Sequence, residues 1–168
     1  MFKSQKGLTL VEALVALLVL SFGLLPALAV LSSSTRIAVL IENNLIAANL
    51  AQEGVEVVRS LRDANWFAVP ARPFDTGLQG NWIVQWDTSW NSLNLPQPVG
   101  SNPSLKFDPA TGRYNYSTGL NTNFKRAVSV VMTANPCGCE LIVVSRVDWP
   151  QRGIMRTINV EAHLFDWK

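Results

Sequence analysis

Charge is what this chain has least of. Only 15% of its 168 residues are Asp, Glu, Lys or Arg, against roughly 25% in an average soluble protein. With 48% hydrophobic residues it is not intrinsically disordered, since disorder needs charge and few apolar side chains. A net charge of +2 excludes a nucleic-acid binder that works by bulk charge. Histidine is scarcer still. His163 is the only one, it falls on the polar face of a strand, and spacing identifies no partner for it, so a solvated strand residue is a simpler reading than a base or ligand. Gly-x-Ser-x-Gly, the P-loop, His-Glu-x-x-His and Gly-x-Gly-x-x-Gly are all missing. The two cysteines, Cys137 and Cys139, cannot by themselves complete a tetrahedral zinc site. No metal, cofactor or catalytic residue is expected, and the reading is not an enzyme. The length fits about one domain.

The missing charge is concentrated at one end. Ala13 to Thr35 is 23 residues without a charge. As a helix, Leu8 to Leu31 covers roughly 36 Å, enough for a hydrocarbon core of about 30 Å. Lys3 and Lys6 precede it, and the positive-inside bias keeps that end in the cytoplasm and the rest of the chain outside. Three architectures fit: a signal anchor, a secretory peptide removed after Ala27-Leu28-Ala29, or a leader cut ahead of the apolar segment. Glu12 separates them, because a carboxylate inside an apolar run costs energy that an ordinary signal peptide has no reason to spend. If the chain is cut after Gly7, Leu8 gains an α-amino group one helical turn from Glu12. In a staggered bundle of such helices, one subunit's carboxylate neutralises its neighbour's amine.

Lys6-Gly7-Leu8-Thr9-Leu10-Val11-Glu12 resembles the processing and methylation motif of type IV prepilins and type II secretion pseudopilins. The apolar run Ala13 to Leu25 resembles PilV-type minor pilins and I-type pseudopilins. The resemblance implies that a membrane aspartyl peptidase, which is also the methyltransferase, cuts after Gly7 and N-methylates Leu8, and that Glu12 serves assembly. It also implies self and other pilins as partners, with an inner-membrane assembly platform and a cytoplasmic ATPase. The protein is then a single-pass inner-membrane protein with an extracytoplasmic head before assembly, and part of a surface or periplasm-spanning filament afterwards. Two departures stand out: Leu8 replaces the usual phenylalanine, and the helix-kinking proline is Pro26 where the family's falls near Ala29. A type II secretion pseudopilin is the alternative within the family. A signal-anchored extracytoplasmic binding domain is the alternative outside it.

The apolar pattern continues past the membrane. Ile37, Ile41, Leu45, Ala48, Ala51, Val55, Val58 and Leu61 recur with a mean spacing of 3.4 residues, the mark of an amphipathic helix. Ser32 to Thr35 contains no Gly or Pro, so one continuous helix of roughly 85 Å is expected, ended by Pro70 and Pro73. The organisation is therefore a basic leader (1–7), an apolar transmembrane and filament-core helix (8–35), its amphipathic continuation (36–66) and a β-rich head (67–168).

In the head, Asn81 to Thr88 alternates, with Trp82, Val84 and Trp86 on one face. Leu105 to Phe107 and Tyr114 to Tyr116 flank a Pro- and Gly-containing turn, as in a hairpin. Three stronger strand signals follow: Phe124 to Thr133, Glu140 to Trp149, and Met155 to Trp167. Their short links imply an antiparallel meander, whose apolar face needs the amphipathic helix as its cover. The fold class is α+β and pilin-like, a long N-terminal helix packed on a C-terminal antiparallel sheet.

Four features of the head stay open in the sequence. Cys137 and Cys139 lie outside the cytoplasm, where a bridge is permitted, but a Cys-Gly-Cys ring is tight and free thiols compete with it. Six tryptophans either fill the space between helix and sheet or form a stacking surface for DNA or glycan. From Trp66 onward there are nine basic and seven acidic residues, and Lys125-Arg126 with Arg152 and Arg156 are the basic clusters available to nucleic acid. Asn115-Tyr116-Ser117 fits a glycosylation sequon. Without residues 1–7 the chain carries 12 basic and 12 acidic side chains, which spares packed subunits long-range repulsion.

Overall fold

A computed structural model describes residues 9–90, 97, 98, 100, 102–133 and 139–167. One helix, α1 (Leu10–Trp66), is followed by seven strands: β1 (Gly80–Ile83), β2 (Gln97–Pro98), β3 (Ser104–Asp108), β4 (Arg113–Asn115), β5 (Leu120–Met132), β6 (Glu140–Gln151) and β7 (Ile154–Phe165). The architecture is a long N-terminal helix and a C-terminal antiparallel sheet, α+β and pilin-like. The chain divides into two units, Met1–Glu42 and Asn43–Lys168.

In the first unit, the helix begins with a side-chain cap. Thr9 Oγ1 accepts the Glu12 amide at 3.2 Å, and the Thr9 carbonyl accepts the Ala13 amide at 3.1 Å. Thr-x-x-Glu is the capping-box pattern. Every large apolar side chain from Leu10 to Leu31 is exposed, and burying each one would contribute about 1.5–3 kcal/mol. The hydroxyls in this unit turn inward on their own helix: Ser21 donates to the Leu17 carbonyl at 2.7 Å, and Ser33 and Ser34 both donate to Val30 at 2.8 and 3.0 Å. Such back-bonding gives these three hydroxyl protons a partner without water.

In the second unit, the buried helix positions are Ala47, Leu50, Ala51, Gly54, Val55, Val57, Val58, Leu61, Arg62, Asn65 and Trp66. The expected stripe is correct from Ala51 to Leu61. Leu45 departs from it at 60% exposed, as do Ile37 and Ile41 in the first unit. Gly54 faces the sheet at close range: a Cβ there would lie 3.1 Å from Val128 Cγ2 and 3.2 Å from Ser145 Cβ. The glycine that weakens the helix on propensity is what lets it approach the sheet. Asn65 ends the helix by capturing the following loop, its Nδ2 donating to the carbonyls of Phe74 (3.2 Å) and Thr76 (2.9 Å).

The β5–β6–β7 meander is as expected, every pair antiparallel. Arg152 (φ 52°) and Gly153 (φ 76°) form the β6–β7 turn, the two left-handed residues that a tight hairpin requires. On the other side of β5, its second half pairs with β1 and its first half with β3, which carries β4. The core face takes Val128 and Val130 from β5, Leu141 and Val143 from β6, and Leu164 from β7, packed with Val55, Val58 and Leu61 of the helix. A second cluster joins Ala47, Leu50 and Ala51 to Leu105, Phe124, Val147 and Trp149.

The strand expected over 81–88 is cut short. β1 stops at Ile83 because the next backbone groups bond to side chains: the Val84 carbonyl accepts from the Arg126 guanidinium, and the Gln85 amide donates to Thr88 Oγ1 at 2.9 Å. Trp82, Val84 and Trp86 consequently do not share a face. Val84 is buried and Trp86 is 44% exposed.

Candidate assembly helix and head surface

The sequence motif and the helix start coincide. Glu12 lies in the first turn of α1, held through its amide by Thr9, where the helix dipole favours a carboxylate. Gly7 and Leu8 lie outside the described residues. Pro26 lies inside α1. It has no N–H to give the Phe22 carbonyl one turn back. The 57-residue helix contains an apolar stretch long enough to cross a membrane.

Cys139 is disulfide-bonded. Cys137 lies outside the described residues. The Cys139 carbonyl accepts the Asp166 amide at 2.8 Å, which ties the residue just before β6 to the residue just after β7.

His163 is not the unpartnered residue that its spacing suggests. Its Nδ1 lies 2.6 Å from Glu140 Oε1 on β6, and its Nε2 lies 3.1 Å from Glu161 Oε1 on its own strand. Two acceptors flank a ring that carries two N–H groups only when protonated. The Glu140 hydrogen bond, and then that of Glu161, raises the histidine pKa above its usual 6.5. Glu161, two residues away on the same face, was visible in the sequence. Glu140 required the β6–β7 register. Among the described residues no three His, Cys, Asp or Glu side chains are grouped so as to hold a metal.

The basic cluster at 125–126 is halved by burial. Arg126 is fully buried: Nη1 donates to the Leu50 carbonyl at 2.9 Å and to Glu53 Oε1 at 2.8 Å, and Nη2 to the Val84 carbonyl. It binds helix, sheet and the 84–88 turn together and is not available to a phosphate. Its place in the alternation Phe124-x-Arg126-x-Val128 was the signal. The sequon asparagine is likewise buried. Asn115 Oδ1 accepts the amides of Ser117 (2.8 Å) and Thr118 (2.7 Å), so it is not a glycosylation site as folded.

The tryptophans divide. Trp66 and Trp149 are buried, and Trp82 and Trp90 pack partly buried against the core. Trp90 Nε1 donates to the Leu61 carbonyl at 2.9 Å, and Trp66 Nε1 to Asp166 Oδ1 at 3.2 Å. Trp167 remains 69% exposed, edge-on to Trp66 with centroids 4.7 Å apart. Trp86 lies outside with the Arg113 guanidinium 4.2 Å from its ring centroid.

Residues 2–28 match the family model for the prokaryotic N-terminal methylation motif, the hallmark of type IV prepilin-like proteins. The match ends within the first unit, so the head is outside it. The motif indicates a structural, pilin-type protein that is processed by prepilin peptidase, assembles with other pilins and is membrane-anchored through one helix. No curated protein and no solved structure matches the chain.

Proposed function

We propose that this chain is a structural subunit of a type IV pilus-like filament and not an enzyme. The observation that carries the reading is the methylation motif at residues 2–28 running into a helix whose apolar side chains are exposed from Leu10 to Leu31. That surface needs a bilayer first and neighbouring helices afterwards. The peptidase cuts between Gly7 and Leu8 and methylates Leu8. The Glu12 carboxylate then meets the Leu8 amine of a neighbouring subunit as the helix leaves the membrane. Pro26 supplies the place where the helix kinks, and Cys137 with Cys139 closes the loop between β5 and β6. The head is extracytoplasmic, and an inner-membrane platform with a cytoplasmic ATPase drives assembly.

The test is the mature N-terminal residue, measured by mass spectrometry on protein from its own cell. N-methylated Leu8 is expected. A chain beginning at Val30 would mean a secreted soluble domain, and an intact Met1 beside an active peptidase would mean an anchored binding domain. Deleting the gene then separates the two filament types: loss of surface filaments with secretion intact is the expected result, and the reverse would make the chain a type II secretion pseudopilin.

A further inference from the structure

We propose that the cleft between α1 and the 84–88 turn of the head binds a saccharide. The cleft holds about 190 Å³ and is lined by Glu53, Glu56, Val57 and Ser60 of the helix and by Trp86 and Thr88 of the turn. Trp86 is a large aromatic left 44% exposed beside two carboxylates, and no core claims it.

The charge state of the walls selects the ligand. Glu53 is paired with Arg126 at 2.8 Å, Glu56 with Arg59 at 2.5 Å, and the Trp86 ring carries the Arg113 guanidinium. A free cation therefore finds both carboxylates already engaged by arginines, while Arg113 takes one face of the Trp86 ring and leaves the other to the cleft. An anion or phosphate meets two carboxylates. An apolar side chain finds only Val57 and Trp86 among polar walls. A pyranose fits what remains: its C–H face lies on an aromatic ring, and its hydroxyls donate charge-assisted hydrogen bonds to fixed carboxylate oxygens. Ser60 adds a further donor and acceptor.

The cleft is also pre-organised, which lowers the cost of binding. Thr88 Oγ1 accepts the Gln85 amide at 2.9 Å, and the Thr88 amide returns to the Gln85 carbonyl at 2.9 Å. Gln85 Nε2 donates to Asp87 Oδ1 at 2.7 Å, and its Oε1 accepts the Tyr116 amide at 3.0 Å. Glu53 is held from below by the buried Arg126. None of this depends on the filament reading.

The experiment titrates the full chain, in a detergent without a sugar headgroup, with maltotriose and with chitotriose. Each is taken to about 10 mM, ten times a Kd of about 1 mM, and followed by tryptophan fluorescence and saturation-transfer NMR. One of the two should bind, and Trp86→Ala and Glu56→Ala should each weaken binding by about tenfold or more. Glu56 is exposed, so its variant keeps the test valid should Trp86→Ala unfold the turn. Three results would overturn the proposal: neither saccharide binds, binding survives both substitutions, or trimethyllysine binds more tightly than either sugar.

Discussion

Arg126 crosses the core from β5 to meet Glu53 on α1, Nη1 to Oε1 at 2.8 Å, and the two ends of this pair sit in different surroundings. The guanidinium side chain is fully buried, whereas that of Glu53 is 32% exposed. The asymmetry predicts an order of damage. Glu53→Ala strands a buried cation and should destabilise the head by about 3–5 kcal/mol. Arg126→Met leaves a carboxylate that water can reach and a Val84 carbonyl without its guanidinium donor, and should cost less, about 1–3 kcal/mol. Denaturant unfolding followed by tryptophan fluorescence measures both, and the reverse order would show that the buried charge is satisfied by the Leu50 and Val84 carbonyls alone.

Gly54 and Ser145 make a second dependence between helix and sheet. On propensity alone, Gly54→Ala should stabilise α1 by about 1 kcal/mol. Because the new Cβ would crowd Ser145 and Val128, the expected result is instead a loss of about 1–3 kcal/mol. Ser145 Oγ is buried without a partner, so Ser145→Ala should be close to neutral. Combining the two should recover part of the loss, a coupling that a double-mutant cycle reads directly.

How far the sequence reached depends on the range of the interactions concerned. The alternation in β5, β6 and β7 and the period of α1 are local patterns, and they placed the meander and its helical cover. The early end of β1 was not local. It depends on Arg126, 42 residues from Val84, taking the carbonyl that a further ladder bond would have used. The burial of Arg126 and the Glu140 partner of His163 have the same origin, since both need a strand register that no single segment carries. At the N-terminus the motif and the apolar run are contiguous, so the match at residues 2–28 and the long helix were both legible, whereas the cap that Thr9 makes on the Glu12 amide was not read from them. The exposure of Leu45 was missed because period alone says which face is apolar, and not how far along the helix a cover extends.

His163 should give the head a pH-dependent stability of definite sign. Its folded pKa is raised by Glu140 and Glu161, so the folded state binds the proton more tightly than the unfolded chain. The resulting stabilisation is fully present below the unfolded value of about 6.5 and is lost as pH rises through the higher folded value. Unfolding midpoints should therefore fall over the interval above about pH 6.5, and His163→Gln should flatten it. A wild-type midpoint unchanged across the interval would show that the ion pairs contribute nothing measurable in solvent.

Thr9 and Glu12 allow the assembly role to be tested without disturbing the helix. The cap is made by the Glu12 amide to Thr9 Oγ1, so Glu12→Ala removes the carboxylate and leaves that hydrogen bond in place. The variant should enter the membrane and be processed like the wild type, yet remain in the membrane fraction while wild-type subunits appear in filaments. Thr9→Val is the complementary control. It keeps the carboxylate and removes the cap, at about 1 kcal/mol of helix stability, and should assemble to a greater extent than Glu12→Ala. Equal assembly of Glu12→Ala and wild type, counted as filament-associated against membrane-associated protein, would remove the ion pair from the mechanism and favour an anchored binding domain.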